Sequence, residues 1–171
     1  MKDRPPSLQL DLLPAARGPT EEALASAGIL TIGHSNRSFE AFLALLQTHG
    51  VRHLADVRSV PFSRRHPQFN RETLRASLAA HAIAYSHFPD LGGRRAPSPD
   101  APLAAAAPAF RGYVEYMATP SFEVALIQLE TFAATSRLAV MCAEAAPAQC
   151  HRQFIATALA ARGRRIGHIL G

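Results

Sequence analysis

Cys142, Glu144, Cys150, His151 and Arg152 bring two thiols, a carboxylate, an imidazole and a guanidinium into one short stretch. Between them they could attack an electrophile, move a proton, hold an anion or ligate a metal. Spacing weighs some of these options. A thiol phosphatase loop of the Cys-x5-Arg type needs Arg at 148 or 156, and both positions are Ala. Zinc would draw on Cys142, Cys150 and His151 with a distant His34, but the spacing fits no standard zinc pattern. No metal and no cofactor are therefore assigned. The preferred reading of both thiols is unreactive packing, although Cys150 in the first turn of a helix would have a lowered pKa. Glu144, half-buried after a strand, would have a raised pKa and act as acid or base; the alternative is a structural pairing with Arg58 or Arg152.

A second group is Asp56-Val-Arg58, followed by Ser63, Arg64 and Arg65. Segment 52–75 holds six Arg against two acids, which creates a positive field. Asp56 would orient Arg58, and Arg64 would clamp a phosphate. The alternative is an internal salt bridge beside a solvated basic loop. Paired with Glu144, Asp56 supplies the second of two carboxylates in different environments, a pattern suited to glycosidic-bond chemistry. A third group is Gly33-His34-Ser35-Asn36, where a strand turns into a helix. Glycine lets a ligand approach the backbone there, and a helix N-terminus favours an anion. The turn is neither a Walker sequence nor GxGxxG, and an ordinary capped turn is the alternative.

These groups need elements to position them. Apolar runs at 29–32, 54–57, 83–87, 138–142 and 165–169 read as strands. Phe39, Phe42, Leu43 and Leu46 share one helix face, with Asn36 or Ser38 as the cap and Gly50 as the stop. Further helices are expected from Asn70 to about 80, over 111–118, from Pro120 behind a Thr119 cap, and from Pro147 to about 162. The alternation implies an α/β protein, three-layer α/β/α with a mainly parallel five-stranded sheet, Rossmann-like in plan. Ligands bind beyond the carboxyl ends of such strands, where all three groups fall. Residues 1–27 read as a mobile Pro-rich tail with a short helix at 21–26. Residues 28–171 read as a single domain with a flexible Ala/Pro loop at 96–108, either a lid or disordered.

The chain has 171 residues and a net charge of +5, and 17 of its 18 basic residues are Arg. Arg is the better bidentate partner for phosphate, although an Ala- and Pro-rich composition also favours it. No apolar run is long enough to span a membrane, and no secretory signal is expected. Two cysteines make no disulfide framework, so a cytoplasmic location is expected.

Taken together, Thr31-Ile-Gly-His-Ser-Asn-Arg37, Asp56-Val-Arg-Ser-Val-Pro-Phe-Ser-Arg64, Pro67-Gln-Phe-Asn70, Leu91-Gly-Gly93, Arg111-Gly-Tyr113, Met141-Cys-Ala-Glu144 and Cys150-His-Arg152 resemble the DUF488 family. The resemblance implies a compact α/β domain, bacterial or archaeal, with its polar motifs at one sheet edge. It implies no reaction. Phe62 departs from it, since a small or polar residue is usual there. The leading functional expectation is an enzyme acting on a phosphate-bearing substrate, a nucleotide or nucleic acid, with N-glycosidic cleavage or transfer as its sharpest form. Arg58, Arg64, Arg152, Ser63 and the Gly33–Asn36 turn would hold phosphate. Glu144 or Asp56 would do the chemistry, assisted by His34 or His151. The rivals are a non-catalytic nucleic-acid-binding module and a thiol- or zinc-based sensor.

Overall fold

The computed structural model describes residues 27–99 and 108–171. Of the expected tail only Ala27 is among them, and it is buried in the core. The helix at 21–26 and residues 100–107 of the Ala/Pro loop lie outside the described residues.

Five strands form one sheet: β1 Ile29–Gly33, β2 His53–Asp56, β3 Ala84–His87, β4 Leu138–Cys142 and β5 Ile166–Ile169. Their order is β3-β2-β4-β1-β5, and every pairing is parallel. The central strands β1, β2 and β4 are buried at every residue, as continuous apolar runs between two helical layers must be. The edge strands β3 and β5 are only partly covered. Strand bounds differ from the sequence expectation by at most one residue.

Side-chain alternation divides the sheet between two cores. Leu30, Ile32, Leu54, Ala139 and Met141 face helices α1 (Phe39–Thr48) and α2 (Arg71–Ala79), packing on Phe42, Leu46, Leu74 and Leu78. Ile29, Ala55, Leu138, Val140 and Cys142 face α3 (Arg111–Tyr116), α4 (Pro120–Thr135) and α5 (Arg152–Ala161), packing on Tyr113, Phe122, Leu126, Leu129, Ile155 and Leu159. This is the expected three-layer α/β/α plan. The chain runs from β1 to β2 to β3 with its helices on one face. It returns through β4, inserted between β2 and β1, with its helices on the other. The connections leaving β1 and β2 therefore part from the one leaving β4, and a crevice opens at the carboxyl end of β4.

Local signals act largely as expected. The Ser38 hydroxyl accepts from the Ala41 amide and caps α1. Thr119 caps α4, with Pro120 at its first position. Gly50 follows α1 with φ +65°, a conformation costly for other residues. Asn70 stands at the start of α2 but does not cap it. Its Oδ1 instead accepts from the Ser63 amide at 2.7 Å and closes the 63–70 loop. The last helix is also revised. Pro147–Gln149 forms a separate 3-10 turn, Cys150 is extended (φ −138°, ψ 149°), and α5 starts only at Arg152. Cys150 thus precedes the helix instead of lying in its first turn.

Candidate functional site

A cleft of about 790 Å³ opens at the carboxyl ends of β1, β2 and β4. His34, Ser35, Asn36, Arg58, Ser63, Cys142, Glu144, Cys150 and His151 line it, so three separate sequence groups do converge. Gly33, Asp56, Arg64 and Arg152 are not among its lining residues, whereas Arg65, His66 and Arg94 are.

Asp56 ends β2 with 0% exposure, and its carboxylate is fully engaged. It accepts from the Arg58 backbone amide at 3.1 Å, from Arg58 Nε at 2.9 Å and Nη2 at 2.6 Å, and from the Tyr85 hydroxyl at 2.7 Å. A catalytic role for Asp56 is therefore corrected: it cannot face a substrate and serves to aim Arg58. Arg58 Nη2 also donates to the Phe69 carbonyl at 2.8 Å. Burial works against the Arg58 charge, but the hydrogen bonds and charge of Asp56 outweigh it and raise the pKa. Burial, with the adjacent Asp56 charge, likewise keeps Tyr85 a phenol. A permanent cation thus sits in the cleft floor with its Nη1 edge still directed at His34 Nε2, 3.4 Å away.

His34 is buried and stacked on Phe69, with ring centroids 4.3 Å apart. Its Nδ1–H donates to the Ser35 carbonyl at 2.8 Å, which leaves the Nε2 lone pair for Arg58. Burial, reinforced by the Arg58 charge, lowers its pKa to about 4. At neutral pH it is an uncharged acceptor. Next to it Ser35 takes φ +49°, in the left-handed region, and its amide donates to the Ala143 carbonyl at 2.8 Å.

Gly33 and Arg152 are also revised, for related reasons. A Cβ on Gly33 would lie 1.8 Å from the Glu144 carbonyl oxygen. The backbone that approaches this glycine is the protein's own, not a ligand's. Arg152 is fully buried; its Nη2 donates to the Glu144 carbonyl and, at 3.3 Å, to that of Ala145. It braces the loop after β4 and does not reach a phosphate in the cleft. Arg64 is exposed on the loop, and its neighbour Arg65 turns into the cleft instead. Glu144 is exposed rather than half-buried, and it is the one carboxylate lining the cleft among the described residues.

The thiols form a tight buried cluster with His151. His151 Nδ1 lies 3.5 Å from Cys150 Sγ and 3.8 Å from Cys142 Sγ. Its Nε2–H donates to the Val57 carbonyl at 3.0 Å, so Nδ1 is the nitrogen presented to the sulfurs. Cys150 Sγ accepts from Arg152 Nε at 3.4 Å and from its amide at 3.5 Å. A hydrogen bond from Cys142 above all, and one from the Arg152 amide, push the Cys150 thiol well down against its burial. Cys142 is pushed up correspondingly by donating to Cys150 and by burial. Both thiols are packed in the core as expected, and both also face the one imidazole. The sequence could not show it because adjacent Cys150 and His151 converge only through the break between extended Cys150 and helical His151 (φ −57°, ψ −15°).

His66 and Arg94 were legible only as members of polar loops. Arg94 follows Gly92-Gly93, and both glycines are packing necessities: a Cβ at 92 would meet Ser59 Oγ at 2.3 Å, and one at 93 would meet His151 Nδ1 at 2.4 Å. Comparison with known proteins adds one finding: the family model described as "Domain of unknown function DUF488" matches residues 38–159. No curated protein and no solved structure matches the chain.

Proposed function

The chain belongs to the DUF488 family, whose description assigns no activity, and from the cleft it builds on that scaffold we propose an enzyme acting on a phosphate-bearing substrate, a nucleotide or a nucleic-acid strand. The observation that carries this reading is the Asp56-clamped Arg58 guanidinium in the cleft floor, with Arg65, His66 and Arg94 around it. A fixed guanidinium loses little freedom when it meets an oxyanion, and phosphate offers oxygens to several such groups at once. Ser35, Ser59 and Ser63 add hydroxyls in the same wall. Phe62 lines the cleft while 62% exposed, an uncommon position for a large apolar ring. Beside cationic side chains, such a ring offers a base a stacking surface. Of the two carboxylates only Glu144 is left for acid–base work, since Asp56 is sealed, with His34 or His151 of the same cleft to assist it. Cleavage or transfer at an N-glycosidic bond then uses Glu144 on the attacking group or the departing base.

The test is a panel of nucleosides, nucleotides and oligonucleotides scored for turnover and for binding. Turnover should fall by about 10²–10⁴-fold in Glu144→Gln with the fold intact. The double variant Arg65→Gln/Arg94→Gln should weaken binding of phosphate-bearing members and leave unphosphorylated nucleosides unaffected. Binding of phosphate-bearing members undiminished in that variant and in Arg58→Gln, at low salt and with the fold intact, would refute the phosphate cleft. The binding-module reading is favoured by the Arg-rich 58–71 loop with Phe62 exposed on it. It predicts salt-sensitive oligonucleotide binding with no turnover of any panel member, indifferent to Glu144→Gln.

A further inference from the structure

Cys142 Sγ, Cys150 Sγ and His151 Nδ1 all lie within 4.8 Å of one another, buried at the base of the cleft. We propose that these three atoms form a binding site for a soft divalent cation of the zinc class, with its fourth coordination position open to the cleft. The site stands apart from the phosphate reading and holds whether or not the cleft takes a phosphate.

Four observations carry it. First, the spacing suits tetrahedral coordination. With metal–sulfur bonds of about 2.3 Å and metal–nitrogen bonds of about 2.1 Å, a tetrahedral ion holds sulfur and nitrogen about 3.6 Å apart. The two sulfur–nitrogen distances here are 3.5 and 3.8 Å. Second, the imidazole is already oriented as a ligand. A metal-bound histidine donates its other N–H to a carbonyl or carboxylate, and His151 Nε2 donates to the Val57 carbonyl at 3.0 Å. Third, Arg152 gives Cys150 Sγ two N–H donors, while no carboxylate pairs with this buried guanidinium among the described residues. Cys150 Sγ is thereby held by two donors and kept beside His151 Nδ1. Fourth, Gly93 packs directly on this imidazole: a Cβ there would lie 2.4 Å from His151 Nδ1, 2.6 Å from its Cγ and 3.1 Å from its Cβ, so only glycine leaves the ring where it can present Nδ1 to the sulfurs.

Two thiolates and a neutral imidazole are the donors that select zinc-class ions over hard cations. Three protein ligands with one open position are also the arrangement of catalytic rather than structural zinc. On binding, the hydrated divalent ion exchanges water for the three ligands, and each sulfur still protonated releases its proton to solvent. No electron is transferred. The spacing fits no familiar pattern because two ligands are sequence neighbours and the third ends the preceding strand.

The full chain, stripped with a chelator under reducing conditions and dialysed, is titrated with Co²⁺ and then with Zn²⁺. A single ion should bind per chain, with the intense visible bands of tetrahedral cobalt and a near-ultraviolet sulfur-to-cobalt band. Zn²⁺ should bleach them. Cys142→Ser, Cys150→Ser and His151→Gln should each abolish or weaken those bands while far-ultraviolet circular dichroism shows the fold retained. Gly93→Ala, which adds no ligand and removes none, should weaken Co²⁺ binding at least tenfold. Arg65→Gln/Arg94→Gln should leave the cobalt spectrum unchanged, which separates this site from the phosphate reading. Weak octahedral-type absorption, substoichiometric binding, or a spectrum indifferent to both cysteine substitutions would overturn the proposal.

Discussion

Two buried polar clusters lie under the same cleft on opposite faces of one sheet. On the α1/α2 face, Asp56, Arg58, Tyr85 and His34 form a network in which each group answers another. The Asp56 carboxylate takes four hydrogen bonds, Arg58 spends three nitrogens on it, and His34 has a partner for each ring nitrogen. On the other face, Cys142, Cys150 and His151 turn lone pairs toward a common point. Apart from half-buried Tyr85 every member is buried, and both clusters stand within two residues of a strand end or a helix start. They differ in what their internal bonds leave facing one another: Arg152 and Val57 hold Cys150 Sγ and His151 Nε2, yet Cys142 Sγ, Cys150 Sγ and His151 Nδ1 still gather within 4.8 Å. A closed network fixes geometry and contributes to stability; a convergent set of donors is left for something that arrives.

That contrast is broken most directly by removing one partner from each side. Asp56→Ala leaves a buried guanidinium and a buried phenol without their acceptor, and should cost about 3–5 kcal/mol in chemical denaturation. In the presence of a chelator, Cys150→Ser should cost only about 1–2 kcal/mol, because a small polar side chain replaces another and Arg152 keeps its carbonyl partners. Equal costs for the two would mean that the thiol cluster is as much a part of the folding core as the ion pair. Adding Zn²⁺ sharpens the contrast further: the midpoint should rise for the parent chain and for Asp56→Asn, but not for Cys150→Ser.

The closed side also carries its own acid limit. An unfolded histidine titrates near pH 6.5, whereas buried His34 titrates at about 4. Between those values the unfolded chain holds a proton that the folded protein refuses. Stability is thus full above about pH 6.5 and falls as the pH drops toward 4, by up to about 3 kcal/mol. His53 and His168 are lowered by burial as well and add in the same direction. His34→Gln keeps an acceptor for Arg58 and cannot titrate, so its stability should fall less steeply over that window. A slope identical to the parent's would remove His34 from the network.

How far each side could be read from the sequence follows the same division. The strands and the α1 and α4 caps were legible because apolar runs and Ser38 or Thr119 act on their near neighbours. The Asp56–Arg58 pair was visible as Asp56-Val-Arg58 at a strand end, and the salt bridge was one of its two readings. What sequence reasoning could not supply was direction. Asp56 points into the layer and Glu144 out of it, Arg65 faces the cleft where Arg64 does not, and Gly33 makes room for the Glu144 backbone instead of for a ligand. The packing of the thiols was legible, but their convergence on His151 was hidden for a more local reason. Pro147 suggested a helix start, but a 3-10 turn and one extended residue intervene, and this break turns Cys150 and His151 toward the same point.

The smallest effect on stability, and the finest test of what enters from outside, lies at the cleft wall. Phe62 is too exposed to contribute to either core, so Phe62→Ala should change stability by less than about 0.5 kcal/mol. If the ring stacks on a base, the same substitution should weaken binding of a nucleotide or oligonucleotide by about 1–3 kcal/mol per stacked base. Inorganic phosphate, which has no base, should bind with unchanged affinity, and the cobalt spectrum of the thiol cluster should not move. Calorimetric titration with both ligands separates these contributions. Equal weakening of phosphate and nucleotide would show that Phe62 only shapes the Arg58 loop. Unchanged binding of both would confine recognition to the phosphate and leave the base free in solvent.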